Sequence, residues 1–63
     1  MSNELCIVED LEILHETDAA ILVSIGEGQN IWLPKSKIDY DGGVGDTIDV
    51  EMPEWLALEK GLI

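Results

Sequence analysis

Residues 19 to 34, AAILVSIGEGQNIWLP, constrain the fold more than any other part of the chain. Ile21, Val23 and Ile25 alternate with Ala20, Leu22 and Ser24, which is the periodicity of a strand, and neither face carries a charge. A strand of this kind is expected at the centre of a sheet and covered on both sides. Gly26-Glu27-Gly28-Gln29-Asn30 then reads as a glycine-bearing hairpin loop. Ile31-Trp32-Leu33 returns as a further strand, stopped by Pro34, which has no N–H to give a ladder.

The flanking segments extend this hairpin. Leu11 and Ile13 alternate with Asp10 and Glu12, the pattern of a half-buried strand. The apolar run Leu5-Cys6-Ile7-Val8 precedes it, and the phase breaks at Glu9-Asp10, where a bulge or a strand break is expected. Residues 15 to 18 read as a turn. Three consecutive strands so joined make an antiparallel meander. Residues 39 to 46, with glycines at 42, 43 and 45, form a loop, since glycine permits positive φ. Residues 47 to 52 alternate again, with Ile48, Val50 and Met52 inward and Asp49 and Glu51 outward. Pro53 suits the first position of a helix and Glu54 its positive end. A short helix is expected over residues 55 to 60. Gly61 supplies its stop, Leu62 folds back on the last turn, and Trp55, Leu58 and Leu62 share the inward face.

The fold expected is therefore mainly β: a small antiparallel meander or partly open barrel of four to five strands with one short C-terminal helix. A flat sheet with a helix across it is the alternative. Residues 1–63 form a single small domain. Such a chain buries little core, and it lacks the usual staples. Cys6 is its only cysteine and His15 its only histidine, which excludes a disulfide within the chain and a Cys/His zinc site. Self-association into a homodimer, or a tight partner, is a route to further stability.

Fourteen acidic residues face three lysines and no arginine, a net charge of -11. This charge repels nucleic acid and anionic membranes and attracts basic proteins. The polar start Ser2-Asn3-Glu4 argues against a signal peptide, no apolar run reaches membrane-spanning length, and a lone cysteine suits a reducing compartment. A soluble, cytoplasmic protein is expected, with no membrane partner and no direct nucleic-acid binding.

The candidate binding residues are acids. Asp10 with Glu12, and Asp49 with Glu51, stand two residues apart, which on a strand is roughly 6.6 Å at a rise of about 3.3 Å per residue. That spacing resembles phosphates along a nucleic-acid strand. Asp39, Asp41 and Asp46 extend the array from the glycine loop. A surface of this kind can occupy the basic groove of a nucleic-acid-handling protein, or it can serve as a solvated face. Trp32 is expected in the core, with an exposed anchor for a partner as its other reading. Lys35 and Lys37 are placed to offset neighbouring acids.

No catalytic constellation is present. His15 has no nucleophile in an activating context, and Cys6 in its apolar run is expected to be a buried, inert thiol. Residues 39 to 46 lack the EF-hand spacing and its distant glutamate, so they read as a plain loop and no metal or cofactor is expected.

IWLPKSKI, 31 to 38, followed by MPEWLALEKGLI, 52 to 63, resembles small bacteriophage or prophage accessory proteins. In these a Trp-Leu-Pro-Lys-Ser strand end precedes a terminal Pro-Glu-Trp-Leu helix. The match covers about a third of the chain. It implies a small β-rich fold and a viral or mobile-element setting, and no activity. In size and acidity the chain is also similar to the nucleic-acid-mimicking inhibitors that phages use against host defence, including some anti-CRISPR proteins. The function expected is then a non-enzymatic, phage-type inhibitor whose partner is a basic host protein or ribonucleoprotein complex. The alternative is a structural or adaptor module, with a dimer of itself as one form, that binds through an apolar, tryptophan-containing patch.

Overall fold

The alternation around Leu11 and Ile13 builds the longest element of the computed structural model, which describes residues 4–26 and 28–63. Strand β1, Leu5–Glu16, lies in the middle of the molecule. It pairs with β2, Ala20–Gly26, on one side and with β4, Thr47–Pro53, on the other. Strand β3, Gln29–Pro34, pairs with β2, so the sheet runs β3-β2-β1-β4 and every neighbouring pair is antiparallel. Strands β1 to β3 form the meander, and β4 returns to the far side of β1. A single 3-10 turn, Lys35–Lys37, follows β3, and helix α1, Glu54–Glu59, follows β4. The fold is mainly β: the described residues form four strands in an open sheet with one short C-terminal helix.

The phase break at Glu9-Asp10 is a bulge. The register with β4 shifts between Val8 and Leu11, and Asp10 takes a φ of 61°. The extra residue keeps the core side of the strand continuous: Cys6 and Val8 pair with Met52 and Val50 before the bulge, and Leu11 pairs with Ile48 after it. Without it the alternation would turn one half of β1 inside out. A second register shift, between Ile13 and His15, faces β2.

The core forms on one face of this sheet. Ile13, Ile21, Val23, Leu33, Val50 and Met52 have no exposed surface, and Leu11 is nearly as buried. Leu56 and Ala57 of α1 cover them. Gly61 has a φ of 73°, its N–H donates to the Leu58 carbonyl and the Leu62 N–H donates to that of Ala57. This pair of bonds satisfies the last carbonyls of the helix and turns Leu62 back onto the core, as the sequence indicates. Gly42 is required for a different reason. Its φ is 136°, and a Cβ there would stand 2.8 Å from Cγ2 of Ile48.

Several expectations are corrected. Trp32 is not in the core: it pairs with Leu22 on the opposite face from Leu33 and is 45% exposed. Successive strand residues point to opposite faces and the core lies on one face of the sheet, so only one of Trp32 and Leu33 can meet it, and Leu33 does. Strand β2 lies inside the sheet but is covered on one side only, because Leu22 and Ser24 on its other face are partly open to solvent. The helix docks through Leu56 and Ala57, while Trp55 and Leu58 face outward; of the face expected inward only Leu62 packs on the core. Pro53 ends β4 and flanks the helix rather than opening it, and the N–H of Glu54 donates to the carbonyl of Glu4. Cys6 is half-buried rather than buried. The turn after β1 starts at Thr17, two residues later than expected, and its hydroxyl accepts the Ala20 N–H. The polar start at Ser2-Asn3 and Glu27 of the hairpin loop lie outside the described residues.

Candidate binding face

The candidate site begins with the pairing of β1 and β4. Ile7 pairs with Glu51, and since Met52 and Val50 point into the core, Ile7, Asp49 and Glu51 point out. Beyond β4, Asp39 makes an isolated antiparallel bridge with Glu51, each N–H donating to the other's carbonyl at 2.8 and 2.9 Å. A short extra rung thus lies beside β4. It brings Asp39 and Asp41, distant in sequence, next to Asp49 and Glu51.

The result is a shallow, open cleft of ≈ 300 Å³ lined by Ile7, Asp39, Tyr40, Asp41, Asp49 and Glu51. Four of the seven acids singled out in the sequence converge here, around an isoleucine that is 62% exposed. Among the described residues no basic side chain lines the cleft. The other three acids lie elsewhere. Asp10 sits at the bulge, where its N–H meets Asp49 Oδ1 at 3.4 Å, but its groove is a different one, with Val8, Glu9, Leu11, Ile25, Gly61 and Leu62. The bulge also breaks the even spacing expected between Asp10 and Glu12. Glu12 stands exposed between Ser24 and Thr47. Asp46 serves its own loop, where Oδ2 accepts the Gly43 N–H at 2.8 Å.

The end of the cleft is fixed by a small polar network. Glu16 Oε2 accepts from Lys35 Nζ at 2.7 Å and from the Tyr40 hydroxyl at 3.2 Å. These bonds tie β1 to the 3-10 turn and to the segment carrying Asp39 and Asp41. The Lys35 hydrogen bond, then that of Tyr40, hold the Glu16 carboxyl below the ordinary glutamate range. Glu16 in turn raises the Lys35 ammonium, and partial burial followed by the Glu16 hydrogen bond raises the Tyr40 phenol. Lys35 therefore offsets an acid, as its position in the sequence suggests.

A second feature of the outer face lies on the opposite half of the sheet. The His15 and Trp32 rings meet edge to face with centroids 6.1 Å apart, across Leu22, which pairs with both residues. Sequence reasoning missed His15, Ile7 and Tyr40 as surface features. The signal for Ile7 was its strand phase relative to Met52, but that phase is readable only once β1 and β4 are paired. Among the described residues no three His, Cys, Asp or Glu side chains converge as a metal-binding set. No helix among them is long and apolar enough to cross a membrane.

The fold is thus a small antiparallel sheet with a central, bulged strand. The chain belongs to the S1 domain family, whose model matches residues 7–50. The match runs from the first half of β1 into β4 and ends before α1. No curated protein and no solved structure matches the chain.

Proposed function

We propose that this protein is a non-catalytic S1-type binding module that engages a cationic protein surface through the cleft beside β4. The observation that supports this reading is the convergence of Asp39, Asp41, Asp49 and Glu51 around exposed Ile7. An arginine or lysine side chain suits such a site: its aliphatic stem lies along Ile7 and Tyr40 while its charged head meets the carboxylates. A single exposed ion pair contributes only about 0–1 kcal/mol. Several carboxylates acting together with apolar contact give a usable anchor, and the net charge of -11 speeds encounter with a basic partner.

In the phage setting implied by the strand-end and helix motifs, the partner is a basic, nucleic-acid-handling surface of a host defence complex, which the acids occupy in place of nucleic acid. The test is affinity for a purified host ribonucleoprotein complex, and for a lysine- and arginine-rich peptide as a minimal probe, across a salt series. Affinity should fall steadily with salt and drop up to about tenfold for Asp49→Asn with Glu51→Gln, the equivalent of roughly 1.4 kcal/mol. A salt-independent affinity, or one untouched by the double substitution, removes the reading.

Direct nucleic-acid binding is the second reading, because S1 domains are OB-type folds and the His15–Trp32 pair offers a stacking surface on the outer face. Charge weighs against it. Nucleic-acid affinity comes largely from cations that neutralise phosphates, and this chain has three, one of them held by Glu16. Filter binding with single-stranded RNA at physiological salt decides between the two, and retention of the RNA would favour the second.

A further inference from the structure

We propose that two copies of this chain pair antiparallel through the open edge of β3, each extending the other's sheet across a two-fold axis. The inference is independent of the acidic cleft, which lies beside β4 at the other end of the strand order. An OB-type barrel has five strands, and among the described residues this sheet has four. Of its two edges, that of β4 is met by the bridge from Asp39. Among the described residues β3 pairs with β2 alone, so its other side presents unpaired backbone groups.

Edge strands are ordinarily defended by charged side chains, bulges or a covering segment. Strand β3, QNIWLP, has no charged residue, and its proline is the last of its six positions. The seven residues of β2 beside it, AILVSIG, carry no ionisable group either. In a molecule with fourteen acids, this half of the sheet is where a second copy of equal charge meets the least repulsion. The exposed Trp32 adds an aromatic side chain to the cross-strand contacts of the pairing. Two-fold symmetry makes a strand that pairs with itself antiparallel. Six residues span only about 20 Å, so the interface is small and the dimer weak. Because both copies carry -11, screening favours association. Salt therefore strengthens this contact, whereas it weakens a charge-driven contact at the cleft.

Sedimentation equilibrium over a concentration series reaching the millimolar range, at low and high salt, tests the pairing. The expected result is a monomer–dimer equilibrium that shifts toward dimer with salt. Asn30 is exposed, so Asn30→Glu and Asn30→Lys should keep the monomer's circular dichroism and each abolish the dimer, since either charge opposes an edge pairing. Hydrogen exchange reads the same contact without substitution: β3 amides should gain protection as concentration rises. A chain that stays monomeric at millimolar concentration in high salt overturns the proposal, as does a dimer that survives both substitutions. A monomer whose β3 amides shift instead on adding an alternating lysine–valine peptide also overturns it, and identifies a basic strand of another protein as the occupant.

Discussion

Leu56 and Leu58 stand two positions apart on the same short helix, and only one of them holds the fold together. Leu56 is 2% exposed and packs on the core, whereas Leu58 is 57% exposed. Changing each to alanine makes the same chemical deletion with the same helix propensity, so the difference between the two variants reports burial alone. Leu56→Ala loses transfer energy and leaves a cavity, which costs about 2–5 kcal/mol. Leu58→Ala gives up less than half of the roughly 1.5–3 kcal/mol available from a leucine, so about 1 kcal/mol or less. A 63-residue domain has a total stability of about 3–9 kcal/mol at roughly 0.05–0.15 kcal/mol per residue. Leu56→Ala should therefore consume a large share of it. At about 4–8 °C per kcal/mol for a small domain, the Leu56 variant should melt at least about 8 °C below the wild type, and the Leu58 variant by no more than about 8 °C. Urea and thermal unfolding followed by circular dichroism measure both. If Leu58→Ala proved the more damaging, the helix would dock through the face that carries Trp55 and Leu58, and the packing described above would be wrong.

Other perturbations follow from the same geometry. Gly42→Ala should destabilise by about 1–3 kcal/mol, because it combines a strained positive φ with a Cβ pressed against Ile48; denaturant midpoints report it. The Glu16 carboxyl is held low in the folded state, so its contribution to stability is complete above the ordinary glutamate range and is lost as pH falls through the depressed value. Lys35→Met should bring the Glu16 titration, followed by carbon-detected NMR, back toward the ordinary range and flatten the acid limb of the stability profile. Lys35 and Tyr40 are both raised, so their contributions are present at neutral pH and are lost as pH rises through their folded values. The melting temperature should rise with added salt, because the net charge of -11 repels itself in the compact state, and a fall on adding salt would contradict that.

Alternation around Leu11, Val23 and Val50 was enough to place strands β1, β2 and β4, because a period of two leaves one face to bury. The irregularity at Glu9-Asp10 was legible for the same reason, as a bulge or a strand break where β1 changes phase, whereas the second register shift, between Ile13 and His15, was not. The helix stop at Gly61 needed only the residue that tolerates positive φ. The strand-end residue Trp32 was different. Its phase opposite to Leu33 is written in the chain, yet hydrophobicity alone pointed it inward.

For a helix of six residues, apolar side chains on several faces leave its docking face undetermined; Pro53 and the end of β4 fix it by setting where α1 meets the sheet. The grouping of acids was likewise beyond local pattern. Asp39 and Glu51 are joined by a backbone bridge across a loop, and it is this bridge that gathers four carboxylates around Ile7 while leaving Glu12 and Asp46 apart. Local sequence determined which residues are strands and where they turn, since sterics and periodicity act over a few residues. Tertiary structure decided which face each short element shows and which distant acids meet, since those depend on pairings between segments that only the folded chain brings together.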